Sequence, residues 1–427
     1  MIIILLAALS LALPTPLGAF SSDVSVQDID RDINELSSPA YGGRQAGSQG
    51  DWRAALFMAE RFRALGFNGA AARRWQAPAP VKVPGTLAAF LQPFFVPLHR
   101  VVPRLKLSFR RGADSFPAYP GRDYLPFIDS PSASFIAPVI FAGYGLADDL
   151  KGQAIKGKVL LLLSGGPKAL RKSYPLSAKA AEARRRGARA ILVVTGPQLT
   201  RYQRRWGMGQ KVAAGYSRLA REEGLPILHI GPGLAGWILR DKSLGELQIE
   251  LDRLKGPLSF DTGARVSVEI NSQYNPRAPA ANVLAKWEGA VKGKEQEWVV
   301  IGAHRDAYGQ HAGGLFFPGA DDNASGSAVL LSLAKALAKQ AKTRPRGILL
   351  VSFSGEEVGL LGARFLLSQP PVPLNKIAAM INIDAVGVGN GKITVGLGGL
   401  KREVVDRAVA RQGIERGIEI FGYFPGG

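Results

Sequence analysis

Residues 349–361 read LLVSFSGEEVGLL. The apolar run 348–353 has the length and composition of a buried strand. Ser354-Gly355 ends it, and two glutamates, Glu356 and Glu357, stand side by side before Val358, Leu360 and Leu361 resume the apolar pattern. Carboxylates set against a core are costly without partners. This stretch therefore asks for a counter-charge at a strand end, and for other strands that end the same way.

Working outward, the spacing of apolar residues predicts strands at 265–270, 282–286, 298–302, 376–383 and 392–395, and helices at 325–340, 358–367 and 400–412. Strand and helix alternate. That pattern gives an α/β fold, a mostly parallel mixed sheet with helices on both faces. Such sheets place ligands at the C-terminal ends of their strands. Those ends carry His304-Arg305-Asp306, then Asp321-Asp322-Asn323 ahead of a helix, then Glu356-Glu357, and Asp384 after Ile381-Asn382-Ile383. One buried acid is explained by a helix cap. Four acidic or imidazole groups at one sheet edge repel one another unless a cation joins them.

Composition narrows the cation. The chain of 427 residues has no cysteine and only four histidines, His99, His229, His304 and His311, so thiolate sites and disulfides are excluded. Carboxylates plus one imidazole suit zinc, with manganese and cobalt as alternatives. Several carboxylates suggest two metals sharing a bridging oxygen ligand, for which Asp322 is the candidate. His304 and Asp306 lie two apart on an extended segment and point the same way, so Asp306 can orient the imidazole. Adjacent glutamates diverge: one can ligate while the other stands over the water as general base.

The motifs GAHRDAYG, PGADDNASGSA, FSGEEVGLLGA and INIDAVG resemble those of the co-catalytic dizinc aminopeptidase and glutamate carboxypeptidase family, whose relatives include transferrin receptors and glutaminyl cyclases. The resemblance covers residues 280–390, with the helix expected at 51–65 similar to the family's N-terminal portion. It implies a zinc exopeptidase fold, a peptide substrate and two zinc ions. By position, His304 and Asp384 are the implied ligands of one zinc and Glu357 of the other. Asp322 bridges them, Glu356 is the general base, Asp306 supports His304, and the Asp322–Asn323 bond is cis. One departure stands out: the family draws a further histidine from a Ser-Asp-His context near the domain's end, whereas no histidine follows Asp384 and the sequence closes on FGYFPGG. The expectation is a chain that stops short of that residue, with the second zinc one ligand fewer.

Around this core, residues 1–19 resemble a signal peptide, apolar from Ile2 to Leu13 and broken by Pro14 and Pro16, although no basic residue precedes the run. The expectation is a secreted or periplasmic protein with no stable membrane span after cleavage, an uncleaved N-terminal anchor being the alternative. Residues 20–136 read as the N-terminal part of the peptidase domain, 137–256 as an insert resembling the protease-associated domain, and 257–427 as the zinc peptidase domain. The net charge of +20 is concentrated between Lys151 and Arg221 and reads as a solvated basic face, with no nucleic-acid recognition module beside it. His311 reads as a solvated loop residue, with a substitute metal ligand or a lid residue as alternatives, Asp321 as a loop or supporting residue, and the sequon Asn323-Ala324-Ser325 as part of the metal loop rather than a glycan site.

An aminopeptidase is the leading function. A carboxypeptidase for acidic C-termini is the alternative, and it needs an arginine-lined pocket for which Arg305 is the candidate. A third reading is a receptor-like relative with an impaired site.

Overall fold

The computed structural model describes residues 24–71, 79–167, 174–198, 224–253, 258–291, 296–311, 316–339, 345–388 and 393–396, with 403, 406 and 418–421. The expected signal segment and most of the helix expected at 400–412 lie outside the described residues, as do the final residues 422–427. The chain forms two compact units. One comprises Met1–Leu98, Pro276–Gly309 and Phe316–Gly427; the other comprises His99–Asn275 and Gln310–Leu315.

The first unit begins with α1 (Val26–Leu36) and α2 (Gln49–Ala64), whose first turns are capped by Ser25 and Ser48 accepting from the N–H of Asp28 and Asp51. Its sheet uses the C-terminal part of β1 (Ser259–Trp287), β2 (Trp298–His304), β3 (Gly347–Phe353) and β4 (Ile377–Asn382). Helix α3 (Gly326–Lys339) lies between β2 and β3 in sequence, and α4 (Leu361–Ser368) between β3 and β4. The strand order is β4-β2-β3-β1, with β2 parallel to β4 and β3, and β1 antiparallel to β3. This is the expected mixed α/β sheet.

Side chains alternate across the strands. Val299, Ile301 and Ala303 of β2 pack with Ile348 and Leu350 of β3 against Trp52, Met58 and Phe62 of α2 and Leu330 and Leu337 of α3. Trp298, Val300, Leu349 and Val351 face the other way, toward Leu366 of α4. Strands β2 and β3 are thus buried on both faces, which is why 348–353 reads as a continuous apolar run. Two elements differ from expectation. The strands expected at 265–270 and 282–286 are one strand, because the polar stretch between them stays extended with exposed side chains. The helix expected from 358 begins only at Leu361, because a turn follows Glu356: its carbonyl accepts the N–H of both Gly359 and Leu360 at 2.9 Å.

Register positions the site. His304 stands opposite Phe353, and Gly302 opposite Asn382. The residues just beyond these strand ends therefore emerge side by side.

The second unit pairs Ala133–Ala142, Val159–Leu163, Ala190–Val194 and Ile227–Ile230 as parallel neighbours. Helix Leu176–Arg185 packs Ala180 and Ala183 on one face; helices Pro232–Leu239 and Leu244–Arg253 cover the other. This unit starts well before residue 137. The hairpin of Leu91–Arg111 with Asp114–Ala118, and strand Tyr124–Pro126, bury Leu107, Phe109 and Tyr124 in its core, so residues 99–136 fold with it. Among the described residues, no helix is long and apolar enough to cross a membrane.

Candidate metal centre

Strand β2 ends in a fully buried turn. His304 is its last residue, and the side chains of His304 and Asp306 are 2% and 0% exposed. The imidazole Nδ1 donates to the main-chain carbonyl of Asp306 at 3.1 Å. A carbonyl can only accept, so this contact keeps a proton on Nδ1 and turns Nε2 outward. Nε2 then meets two carboxylates: Asp322 Oδ1 and Asp384 Oδ1 each lie 3.2 Å away. One atom from each of these three residues falls within 4.8 Å of the others. Asp322 and Asp384 are 54% and 42% exposed, so the cluster opens to solvent on the side away from the histidine.

The loops that present the acids are tied by specific bonds. The Asp322–Asn323 peptide is cis. Asn323 is wholly buried; its amide donates to Ile383 O at 2.9 Å and its oxygen accepts from the N–H of Gly326 and Ala385. One side chain thereby joins the start of α3 to the turn bearing Asp384. Asp321 accepts from Gly387 and Val388 N–H at 2.7 and 2.9 Å and closes the same turn. The Ser327 hydroxyl donates to His304 O at 3.0 Å.

Glu356 and Glu357 follow β3. Their backbone N–H groups donate to Asp306 Oδ1 and Oδ2, each at 3.2 Å. Asp306 therefore uses its carbonyl on the histidine and its carboxylate on the glutamate pair. Its carboxylate stands 3.6 Å from Nδ1, farther than the carbonyl. Burial raises the Glu356 carboxyl, opposed by His304. Burial also pushes Glu357 up to about 9, reinforced by Asp322 and Asp306. Burial alone would lower His304, but hydrogen bonds to Asp306, Asp322 and Asp384 outweigh it and hold the ring well above its ordinary value. Beside burial, each shift shares one contribution: neighbouring carboxylates favour the protonated form of all three groups. A divalent cation on Nε2, Asp322 and Asp384 relieves all three, so the donor set fits zinc.

Arg305 does not face this cluster. Its guanidinium is fully buried and pairs with Asp51 at 2.9 Å, and it also donates to Ser352 O and Ala281 O at 3.0 and 2.7 Å. The role offered to it in recognising a substrate carboxylate is replaced by a structural one, because an extended chain alternates sides and residue 305 points opposite to 304. Asp51 Oδ2 accepts from the Ser354 hydroxyl at 2.7 Å, joining α2 to the end of β3. His311, expected in solvent, is buried, with Nε2 donating to Pro126 O at 2.7 Å within the second unit. His99 and His229 are also buried. Arg44, Asp51 and Asn282 support the strand ends and were not foreseen. The only sequence signal was Gly42-Gly43 ahead of Arg44, a turn marker without a chemical hint.

Residues 282–419 match peptidase family M28. A probable leucine aminopeptidase of Arthroderma otae is 30% identical over 171 residues, 36% of this chain and 48% of that protein. The chain spans about half or less of the length of the curated relatives it matches. The solved aminopeptidase from Aneurinibacillus sp. strain AM-1 superposes with a TM-score of 0.62 at 19% identity, over 95% of this chain and 82% of its own. The zinc aminopeptidase BSAP from Bacillus subtilis gives 0.56 at 19% identity, over 92% and 78%. Those two likenesses establish the fold. The likeness in sequence is carried by residues 282–419, the stretch that is similar to peptidase family M28.

Proposed function

We propose that this chain is a zinc-dependent exopeptidase of the aminopeptidase type. The observation that carries the reading is the convergence of Asp322 Oδ1 and Asp384 Oδ1 on His304 Nε2, each at 3.2 Å. In this reading His304, Asp322 and Asp384 hold one zinc. Glu357, with Asp322, would serve a second ion. Zinc held there would supply a water of lowered pKa and a Lewis acid for the scissile carbonyl.

The chain's own groups do the rest. Glu356 takes the proton of the attacking water on its carboxylate and returns it to the leaving amine nitrogen. A carboxyl raised by burial suits a proton acceptor working near neutral pH. Asp306 holds the Glu356 backbone and the His304 ring in one frame. Asp322 and Asp384 keep their exposed side toward an incoming peptide. The burial of Arg305 against Asp51 removes the guanidinium that the carboxypeptidase alternative required. We further assign the His99–Asn275 unit as a protease-associated domain and the protein as exported, the latter on its apolar first residues.

The test is release of 4-nitroaniline from leucyl-4-nitroanilide by the zinc-loaded full chain. Expected are dependence on zinc, loss with an N-acetylated substrate, and a drop of about 10²–10⁴-fold in Glu356→Gln with zinc still bound. Zinc binding without turnover of free or blocked peptides would leave a binding relative and reject the enzyme.

A further inference from the structure

Among the described residues, Arg44 is one of the largest fully buried side chains, and it lies in the first unit. Its bonds all end on main-chain carbonyls: Nε on Arg305 at 2.6 Å, Nη1 on Leu36 and on Pro318 at 2.5 and 2.8 Å, and Nη2 on Gly319 at 2.7 Å. Its own carbonyl accepts the N–H of Ala307 at 3.2 Å. Burial lowers its pKa to about 10, with Asp306 and Asp51 pulling the other way, so it stays charged at neutral pH.

The placement of those acceptors matters more than their number. Arg305 and Ala307 flank Asp306 in the turn that follows His304. Pro318 and Gly319 lead into the loop that carries Asp322. Leu36 ends α1. One planar fork therefore fixes the distance between two segments that each present ligand groups. The Asp306 and Asp322 carboxylates on those segments repel each other and the glutamate pair while no cation joins them. A carbonyl clamp resists that repulsion without adding another carboxylate. Gly319 makes the approach possible: its φ is +54°, and a Cβ there would sit 2.8 Å from Arg44 Nη2 and 2.6 Å from Asp322 O. A lysine ammonium cannot reproduce the fork, since its donors leave from one point.

We propose that Arg44 is a positioning residue that pre-assembles the metal centre by locking the His304–Asp306 turn to the Pro318–Asp322 loop. The inference rests on reading His304, Asp322 and Asp384 as metal ligands. It makes Arg44 part of the support that sets ligand geometry, where substitutions commonly weaken metal affinity by about 10–100-fold.

The experiment uses the full chain, with Arg44→Lys, Arg44→Gln and the control Asp32→Asn. The control breaks the 2.7 Å pair of Asp32 with Arg61, which lies between α1 and α2 and touches neither loop. Zinc affinity is measured by calorimetric titration, cobalt geometry by the visible absorption of the cobalt-loaded protein, and apoprotein stability by thermal unfolding. Expected is a loss of zinc affinity of at least about tenfold in Arg44→Lys, with a changed cobalt spectrum, beyond anything Asp32→Asn produces at a comparable loss of apoprotein stability. Unchanged affinity and spectrum in Arg44→Lys overturn the proposal. Failure of both Arg44 variants to fold, with Asp32→Asn folded, makes Arg44 a purely structural residue and overturns it too. A wild-type chain that binds no zinc sinks the metal reading instead, so the two failures are distinguishable.

Discussion

Asp306 Oδ1 accepts the backbone N–H of Glu356 at 3.2 Å, while the Asp306 carbonyl accepts from His304 Nδ1 at 3.1 Å. A single residue thus sets both the ring that faces Asp322 and Asp384 and the chain that carries the proposed base. Replacing Asp306 by Asn turns one of its two acceptors into a donor. Either Glu356 or Glu357 then has its N–H facing another N–H in a buried site. Asp306→Asn is expected to cost about 1–3 kcal/mol in unfolding free energy. It should also lower kcat more than it raises KM, because the base moves and the substrate surface does not. Chemical unfolding with steady-state kinetics checks both; unchanged kcat would reject the positioning role.

Zinc is expected to stabilise the folded chain through His304. A ligand present at about a hundred times its Kd adds about 2.7 kcal/mol to the folded state. Thermal unfolding of chelator-treated protein should therefore shift upward on adding zinc and saturate. His304→Ala removes the nitrogen that Asp322 and Asp384 converge on, and the zinc-dependent shift should shrink to near nothing. An equal shift in His304→Ala would place the cation elsewhere.

The strand ends were legible because burial on both faces writes strands as apolar runs, and the polar residue after each run marks where it leaves the sheet. That is why His304, Asp322, Glu356, Glu357 and Asp384 could be gathered before any geometry was known. The residues that hold them could not. Arg44 acts through backbone carbonyls, which every residue has, so its partners leave no trace in sequence. Arg305 read as a substrate contact because its neighbours are site residues, yet strand alternation turns it inward to Asp51. The start of the second compact unit at His99 was not legible for a related reason: Leu107, Phe109 and Tyr124 lie in a proline-rich stretch whose core assignment depends on strands far along the chain.

Acid should weaken the second unit through His229. The ring is buried in the parallel sheet beside Thr195, 3.0 Å from its hydroxyl, and burial lowers its pKa to about 4. The unfolded chain takes up a proton near the ordinary value of 6.5, and the folded chain does not until about 4. The unfolded state therefore binds more protons across that window, and stability falls as pH drops through it, by up to roughly 3 kcal/mol. His229→Gln has no proton to gain and should show a shallower loss. Urea unfolding at pH 7 and pH 4.5 makes the comparison; parallel losses in both proteins would exclude His229 as the source.

The Arg305–Asp51 pair makes the last expectation. Both side chains are 0% exposed, and Asp51 Oδ1 relies on the guanidinium charge, with no hydrogen bond of its own. Removing one partner strands the other in the core, which typically costs about 3–5 kcal/mol. Asp51→Ala should therefore lower stability by that order and leave Arg305 uncompensated beneath the sheet. Arg305→Leu together with Asp51→Leu removes both charges and should recover part of the loss, because neither is then buried alone. The two forms should keep the same preference between free-amine and free-carboxylate peptides, since Arg305 contacts backbone carbonyls and Asp51. A double variant that folds but changes that preference would return Arg305 to the substrate pocket.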